Sequence, residues 1–299
     1  MTPSFVPEQS DGEPPSRRGR KPESIGEKVG GSHRAWLESV RSRLFASGLT
    51  LDDLVNRSGY SKSRISELLR GKGYYPGWAI TYSVVCCLDL PILPMRRLWT
   101  AAAREANKDT TWIENRIHAV QPLQPEQPPV AHQGFTEAVR QPYTDYARVF
   151  LQTGQRARWV VSEAFDILWL GWDEATASPN VRRHAWCLLR SRVMLRAPRH
   201  EGYPDLRAAA FSTLAQSQTD DLAVRFAQIG EQAGFFNAMG RLPDDQLDVT
   251  VLRYLCGISE DAIPTVVGLS PAITHAMDHH ARGALERIYH HHETRSDHP

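Results

Sequence analysis

The segment from Leu49 to Lys72, LTLDDLVNRSGYSKSRISELLRGK, constrains the fold of this chain more than any other part. Thr50 is a favourable N-cap, and two aspartates follow it where negative charge stabilises a helix N-terminus. Gly59 can adopt a positive φ without strain and so permits a tight turn. Ser61 is a second N-cap, and Gly71 is suited to end the helix that follows. The segment therefore predicts two short helices, beginning near Thr50 and Ser61, joined by a turn.

The polar face of the second helix predicts a contact with double-stranded DNA. Its apolar residues recur at helical spacing, which leaves short hydroxyls and long cations on the opposite side. Such side chains suit a helix that enters a major groove, because cations bind phosphates or guanine edges and hydroxyls approach base edges. An ordinary helical hairpin with a solvated charged face is the alternative. The predicted DNA-binding residues are Thr50, Ser61, Lys62, Ser63, Arg64, Ser66, Arg70 and Lys72.

Residues 36–106 resemble a Cro/repressor-type helix-turn-helix domain of the XRE family. The resemblance is carried by Leu49, Thr50, Leu54, Gly59, Ser61, Ile65, Ser66, Leu69, Arg70, Gly71, Lys72, Pro76, Trp78, Leu88 and the LWTAAAREA segment. It implies a small domain of about five helices that binds operator DNA through the second helix of the motif, commonly as a homodimer. Leu51 departs from the family, which usually has a backbone-contacting glutamine there.

Residues 1–32 lack hydrophobic periodicity and are rich in Pro, Gly, Ser and charge, which predicts disorder. Four cations flank Gly19 within this tail: Arg17, Arg18, Arg20 and Lys21. The group resembles an AT-hook core, whose arginines enter a narrow, electronegative minor groove. A solvated basic tail is an equal alternative.

Composition narrows the class of protein. With 299 residues, 41% hydrophobic and 23% charged, the chain is long enough for about two ordinary domains. The net charge is only +1, but residues 33–75 carry eight basic and four acidic side chains, whereas residues 243–288 carry three basic and seven acidic ones. The charge suited to DNA is therefore near the start. No apolar run approaches the roughly 20 residues that span a bilayer, so no membrane partner is expected.

The four cysteines, Cys86, Cys87, Cys187 and Cys256, form no C-x-x-C pair. We expect no metal or cofactor, and we expect buried thiols in a reducing cytoplasm. The polar, Pro-rich start predicts no signal peptide. No phosphate loop and no nucleophile with a base in fixed register is recognisable, so an enzyme is the least favoured class.

The rest of the chain predicts an all-α protein. The DNA-binding domain is expected at 33–118, followed by a Pro-rich linker at 119–133 that favours extended polyproline II. Helical periodicity then predicts one sub-domain at 134–199, a helical linker at 200–241 and a second sub-domain at 242–289.

Residues 135–199 resemble the second conserved region of extracytoplasmic-function sigma factors. The resemblance is carried by Tyr146, Ala147, Leu151, Gly154, Val160, Val161, Glu163, Ala164, Phe165, Leu168, Trp169, Trp172, Asn180, Val181, Ala185 and Trp186. It implies that the region holds the RNA polymerase core, with Glu163 and Phe165 as polymerase contacts. Trp159 and Ser162 depart from the family at that surface.

The predicted helix at 181–195 carries a row of arginines without an intervening acid: Arg182, Arg183, Arg190, Arg192 and Arg196. Arginines interleaved with aromatic residues are typical of a nucleic-acid surface. A solvated face and a partner-binding face are equally compatible with the pattern.

Residues 242–288 resemble the fourth conserved region of sigma factors, itself a helix-turn-helix. The resemblance is carried by Leu242, Pro243, Val251, Leu252, Leu255, Gly257, Ile258, Ser259, Ile263, Val267, Gly268, Leu269, Ser270, Ile273, Ala281, Arg282 and Leu285. Its expected recognition helix, 271–283, offers only Arg282 and three histidines, where the family has several cations. Pro264 is expected to remove a bond from the preceding helix. We therefore expect a sigma-like fold whose DNA-reading face is degenerate.

The three histidines of that helix are His275, His279 and His280. His275 and His279 have the spacing of metal ligands, but no third ligand is fixed nearby, which favours surface histidines.

The sequence thus predicts a transcription regulator with an N-terminal DNA-binding domain and a C-terminal module that docks RNA polymerase or another regulator. The alternative is a working sigma factor with an added DNA-binding domain. The low positive charge of 271–283 speaks against that alternative.

Overall fold

The computed structural model describes residues 24–26, 29–71, 73, 75–120, 126–207, 209 and 234–296. These are mostly helical, as the sequence predicts. The N-terminal half contains α1 (Gly31–Ser47), α2 (Leu51–Ser58), α3 (Lys62–Arg70), α4 (Trp78–Cys87), α5 (Ile92–Glu105) and α6 (Thr110–His118).

The C-terminal half begins with α7 (Val130–Leu151), α8 (Gly154–Leu170), α9 (Trp172–Ala177) and α10 (Val181–Arg196). Two short antiparallel strands follow, β1 (Arg199–His200) and β2 (Tyr203–Pro204), with His200 paired to Tyr203. Residues 234–240 are helical. The remaining elements are α11 (Asp244–Thr250), a π-helical turn (Val251–Leu255), α12 (Ile263–Val267) and α13 (Pro271–Ser296).

The N-terminal helices surround a core rich in tryptophan. Apolar residues of α1, α4 and α5 are buried there: Trp36, Val40, Leu44, Trp78, Val85, Leu98 and Trp99. Trp78 and Trp99 lie with ring centroids 5.4 Å apart, and the Trp99 indole donates to Pro76 O at 3.0 Å. Burial of several large aromatic side chains gives this half a rigid base for α2 and α3.

The C-terminal helices share one hydrophobic core. Residues from α7, α8 and α10 pack in one cluster with residues from α11, α12 and α13, including Phe150, Val160, Trp186, Leu252 and Val267. The two predicted sub-domains thus pack against each other, since apolar residues within 139–193 and 236–285 belong to the same cluster.

The two halves also contact each other through α5 and α8. Arg97 NH2 lies 2.9 Å from an oxygen of Asp166, and its guanidinium lies 5.9 Å from the Trp169 ring. Ile167 and Leu170 of α8 pack against the N-terminal core. The position of the N-terminal half is thus set by packing against α8.

Several predicted boundaries need correction. Gly31 and Ser32, which the prediction placed in the disordered tail, begin α1, and Ser32 is fully buried. The linker predicted for 119–133 also ends sooner, because α7 begins at Val130. Residues 121–125 and most of 208–233 lie outside the described residues, and within 200–241 the described chain includes the β1–β2 hairpin.

One prediction for the C-terminal region is wrong. Pro264 lies at the start of α12, where a helix N–H has no intrahelical acceptor, so no bond is lost. Among the residues that carry the resemblance in this region, Val251, Leu252 and Val267 are buried, whereas Ile273 is 45% exposed.

Candidate nucleic-acid interface

Helix α2 is fixed at its start by a reciprocal cap. The Asp53 N–H donates to Thr50 Oγ1 at 3.2 Å, and the Thr50 N–H donates to Asp53 Oδ2 at 2.8 Å. The Thr50 hydroxyl also donates to that oxygen at 2.6 Å, and these hydrogen bonds lower the pKa of the Asp53 carboxyl. Thr50 therefore sets the helix start, and its polar groups are engaged in the cap rather than free for a phosphate.

The turn and the end of α3 depend on two glycines in the left-handed region. Gly59 has φ 74°, and open space surrounds the position that its Cβ would occupy. Gly71 has φ 62°, and a Cβ there would lie 2.8 Å from Val29 Cγ2 and 3.0 Å from Leu37 Cδ2. Gly71 is thus required both by backbone conformation and by the close approach of α1.

The orientation of α3 is set by its apolar face. Ile65, Leu68 and Leu69 are buried in the N-terminal core. The consecutive side chains at the start of the helix are exposed as a result: Ser61, Lys62, Ser63 and Arg64. Ser66 and Arg70 are half-buried at the edge of this surface, and Arg70 Nε donates to Ser66 O at 3.1 Å. The predicted side chains at the start of α3 are therefore accessible to solvent, and those of Ser66 and Arg70 are partly so.

The exposed cations of α3 are weakly engaged. Lys62 Nζ lies 2.7 Å from Asp52 Oδ1, but both side chains are more than half exposed, and such pairs contribute about 0–1 kcal/mol. Arg64 has no ion-pair partner among the described residues. Ser61 Oγ and Ser63 Oγ lie 3.1 Å apart. Lys62 and Arg64 can therefore exchange water or a weak pair for an anion at little cost.

Lys72 and the four cations predicted for the minor-groove arm, Arg17, Arg18, Arg20 and Lys21, lie outside the described residues. Their predicted roles remain predictions.

The predicted polymerase contacts are buried. Glu163 is 3% exposed and accepts from Arg192 Nε at 2.9 Å, Arg196 NH2 at 2.9 Å and Ser32 Oγ at 3.1 Å. Phe165 is 6% exposed, and the Arg140 guanidinium lies 5.0 Å from its ring. The interpretation of these two residues as polymerase contacts is wrong for this conformation, because their side chains bind within the protein.

The arginine row on α10 is also turned inward. Arg183 binds Asp245 at 2.8 Å, and Arg190 binds Asp244 at 2.8 Å. Arg192 and Arg196 bind Glu163, and Arg182 donates to Thr265 O at 3.2 Å. Most of this row therefore binds groups of the protein itself. The complementary charges were visible in the sequence, since the acidic residues 244–248 follow a long Arg-rich helix, but local patterns do not show which segments meet.

Asp248 is the centre of a buried network that the sequence did not reveal. It is 1% exposed and accepts from Tyr146 Oη at 2.6 Å, Trp186 Nε1 at 3.0 Å and Arg190 Nε at 3.0 Å. Burial raises the pKa of Asp248, and Arg190 acts in the opposite direction. The network joins α7, α10 and α11, so its role is structural.

Three polar side chains of α13, those of His275, Asp278 and Arg282, contact other groups of the protein. Arg282 NH2 lies 2.8 Å from Asp278 Oδ2, and its Nε donates to Tyr254 Oη at 2.8 Å. Asp278 also binds Arg253 at 2.9 Å. His275 Nδ1 lies 2.6 Å from an oxygen of Glu260. Across the described residues, no group of three or more His, Cys, Asp or Glu side chains is arranged to hold a metal ion.

The cysteines are more accessible than expected. Cys86 and Cys187 are exposed, and Cys87 and Cys256 are half-buried. Burial nevertheless raises the pKa of the Cys256 thiol to about 12.

No family model, curated protein or solved structure matches this chain. Among the helices that the structure describes, none combines the length and apolar character required to cross a bilayer. A function must therefore follow from the residues themselves, and the exposed start of α3 is the surface best suited to a ligand.

Proposed function

We propose that this protein is a sequence-specific DNA-binding transcription regulator whose helix α3 enters the major groove. The observation that carries the proposal is the exposed run Ser61–Lys62–Ser63–Arg64 on a helix whose opposite face is buried. A helix of this kind presents its first side chains to base edges while its apolar face holds it to the domain.

The chemistry of the run suits direct recognition of bases. Arg64 can donate two hydrogen bonds to the O6 and N7 atoms of guanine. The serine hydroxyls can donate to or accept from base edges, and Lys62 can bind a phosphate. Glu67 lies one turn further along α3, is exposed, and can accept from the amino group of cytosine.

The C-terminal half is proposed to dock the RNA polymerase core or another regulator. Since Glu163 and Phe165 are buried, this contact must use other side chains. Trp159 of α8 and Leu195 of α10 are 43% and 55% exposed, and the Arg196 guanidinium lies 5.1 Å from the Trp159 ring. Large exposed apolar side chains are typical anchors of protein interfaces, so these two are the first to replace.

A working sigma factor is the less favoured alternative. It would require α13 to bind promoter DNA, yet Asp278 and Tyr254 hold the Arg282 side chain. We further propose that the chain binds operators with two-fold symmetry as a homodimer, since such sites match a symmetric pair of recognition helices.

Footprinting of the full chain on genomic fragments, with and without RNA polymerase core, tests the proposal. We expect a protected site without polymerase, lost when Arg64 is replaced by Ala and retained when the exposed Arg158 of α8 is replaced by Ala. Protection that requires polymerase and survives Arg64→Ala would instead support the sigma-factor alternative. No protection under either condition would refute both.

A further inference from the structure

A cleft of about 730 Å³ separates α3 from α6. One wall is formed by Arg64, Glu67 and Leu68 of α3, and the facing wall by Lys108, Trp112 and Arg116. Gly77 and Ala79, at the start of α4, also line the cleft. Because Arg64 lines it too, the cleft adjoins the proposed recognition helix.

The cations on the α6 wall are held by one aromatic ring. Trp112 and Arg116 are four residues apart on α6, which places them on the same side of the helix, and Lys108 directly precedes the N-cap Asp109. Lys108 Nζ lies 5.4 Å and Arg116 Cζ lies 5.5 Å from the centroid of Trp112. Trp112 itself stacks on buried Trp99 at 5.8 Å, so the ring is fixed to the core.

Among the described residues, neither Lys108 nor Arg116 forms an ion pair. Asp109 is adjacent to Lys108, but its carboxylate accepts from Trp112 N at 2.7 Å as the cap of α6. Glu114 is two residues from Arg116 and is exposed on α6. Glu67 is the carboxylate within the cleft lining, against three cations. The cleft thus has an excess of positive charge directed at solvent.

We propose that Lys108 and Arg116 bind phosphates of the DNA backbone beside the groove that α3 enters. The inference rests on the proposed function and adds a second contact surface to it. A polyanionic strand suits the cleft because Arg64 belongs to both surfaces, so a duplex bound by α3 passes the mouth of the cleft. Cations that contact only phosphates position a duplex without reading its sequence.

Salt dependence of binding measures these contacts directly. The probe is a mixed-sequence duplex of about two helical turns, roughly 20 base pairs, titrated with the full chain between about 50 and 200 mM salt. The double variant Lys108→Gln/Arg116→Gln should weaken binding to every sequence and reduce the slope of log K against log salt by about 1.8, or about 0.9 per lost contact.

The matched control is Arg156→Gln/Arg158→Gln, which removes the same charge from exposed positions on α8. Its slope should equal that of the wild type. An equal fall in both double variants would show an effect of net charge alone and would refute the inference.

Two further measurements separate this inference from the proposed function. If the slope is unchanged in Lys108→Gln/Arg116→Gln while Arg64→Ala still relaxes sequence preference, the α6 contact is wrong and recognition by α3 stands. If neither variant alters binding, both are wrong. The charge-preserving variant Lys108→Arg/Arg116→Lys should keep the wild-type slope. A reduced slope in that variant would show that altered structure, rather than lost charge, weakens binding in Lys108→Gln/Arg116→Gln.

Discussion

The replacement of Glu163 by Gln tests how the two halves of the protein are held together. The Glu163 side chain is 2% exposed, and it binds Arg192 and Arg196, whose side chains are 7% and 13% exposed. It also accepts from Ser32, so one carboxylate joins α1, α8 and α10. Removal of its charge takes away the ion-pair partner of the buried Arg192 guanidinium and of the partly buried Arg196 guanidinium.

The expected loss of stability depends on the hydrogen bonds that remain in the Glu163→Gln variant. Breaking a buried ion pair by removal of one partner typically costs about 3–5 kcal/mol. The lower end applies, because glutamine retains one acceptor oxygen and Arg192 still donates to Gly31 O at 2.7 Å. We therefore expect a loss of about 3 kcal/mol in the free energy of unfolding, a large fraction of the roughly 5–15 kcal/mol of a typical protein.

Urea unfolding of the full chain, followed by helical circular dichroism, measures this loss. The control is Glu114→Gln on the exposed face of α6, which should change the free energy by less than about 0.5 kcal/mol. A loss below about 1 kcal/mol for Glu163→Gln would refute the view that this carboxylate joins the halves. Glu163 would then again be a candidate contact for RNA polymerase.

Three further outcomes are expected. Burial raises the pKa of Asp166 to about 7, so the contribution of its protonated carboxyl to stability is present at low pH and is lost as the pH rises through 7. The free energy of unfolding of Asp166→Asn minus that of the wild type should therefore rise by up to about 1.4 kcal/mol per pH unit between about pH 4 and 7. A difference that stays constant with pH would contradict this. Gly71→Ala should destabilise the protein by about 1–3 kcal/mol because of the positive φ at this position and the nearby Val29 side chain. Gly59→Ala should destabilise it less, because Gly59 also has a positive φ but open space surrounds its Cβ position. Equal losses of stability in thermal unfolding would show that the contact with Val29 does not contribute. Deletion of residues 1–23 should lower the salt slope of DNA binding by roughly 0.9 for each lost phosphate contact, and an unchanged slope would leave the tail without a role in binding.

Local signals in the sequence were sufficient for the start of the candidate interface. The cap at Thr50, the turn at Gly59 and the end of α3 at Gly71 all depend on residues within a few positions of each other. The buried tryptophans of the first domain were likewise predictable from helical spacing. These features need no knowledge of distant segments, because caps, turns and amphipathic faces are set locally.

Long-range pairing explains most of what the sequence did not show. The side chain of Arg192 is solvent-facing by its local pattern, yet it meets Glu163, which is 29 residues away in the chain. Asp248 meets Tyr146 across 102 residues, which no periodicity encodes. The same limitation applies to Lys108 and Arg116, which became candidates for DNA binding only when α6 was found beside α3.

Selection of bound duplexes from a random-sequence pool tests the central claim most directly, with the full chain and its Arg64→Ala variant compared under the same salt. The wild type should enrich a defined sequence, and the variant should lose preference at one base pair, which corresponds to about 1–3 kcal/mol of specific binding. Enrichment of the same sequence to the same degree by both proteins, or no enrichment by the wild type, would contradict recognition of the major groove by α3.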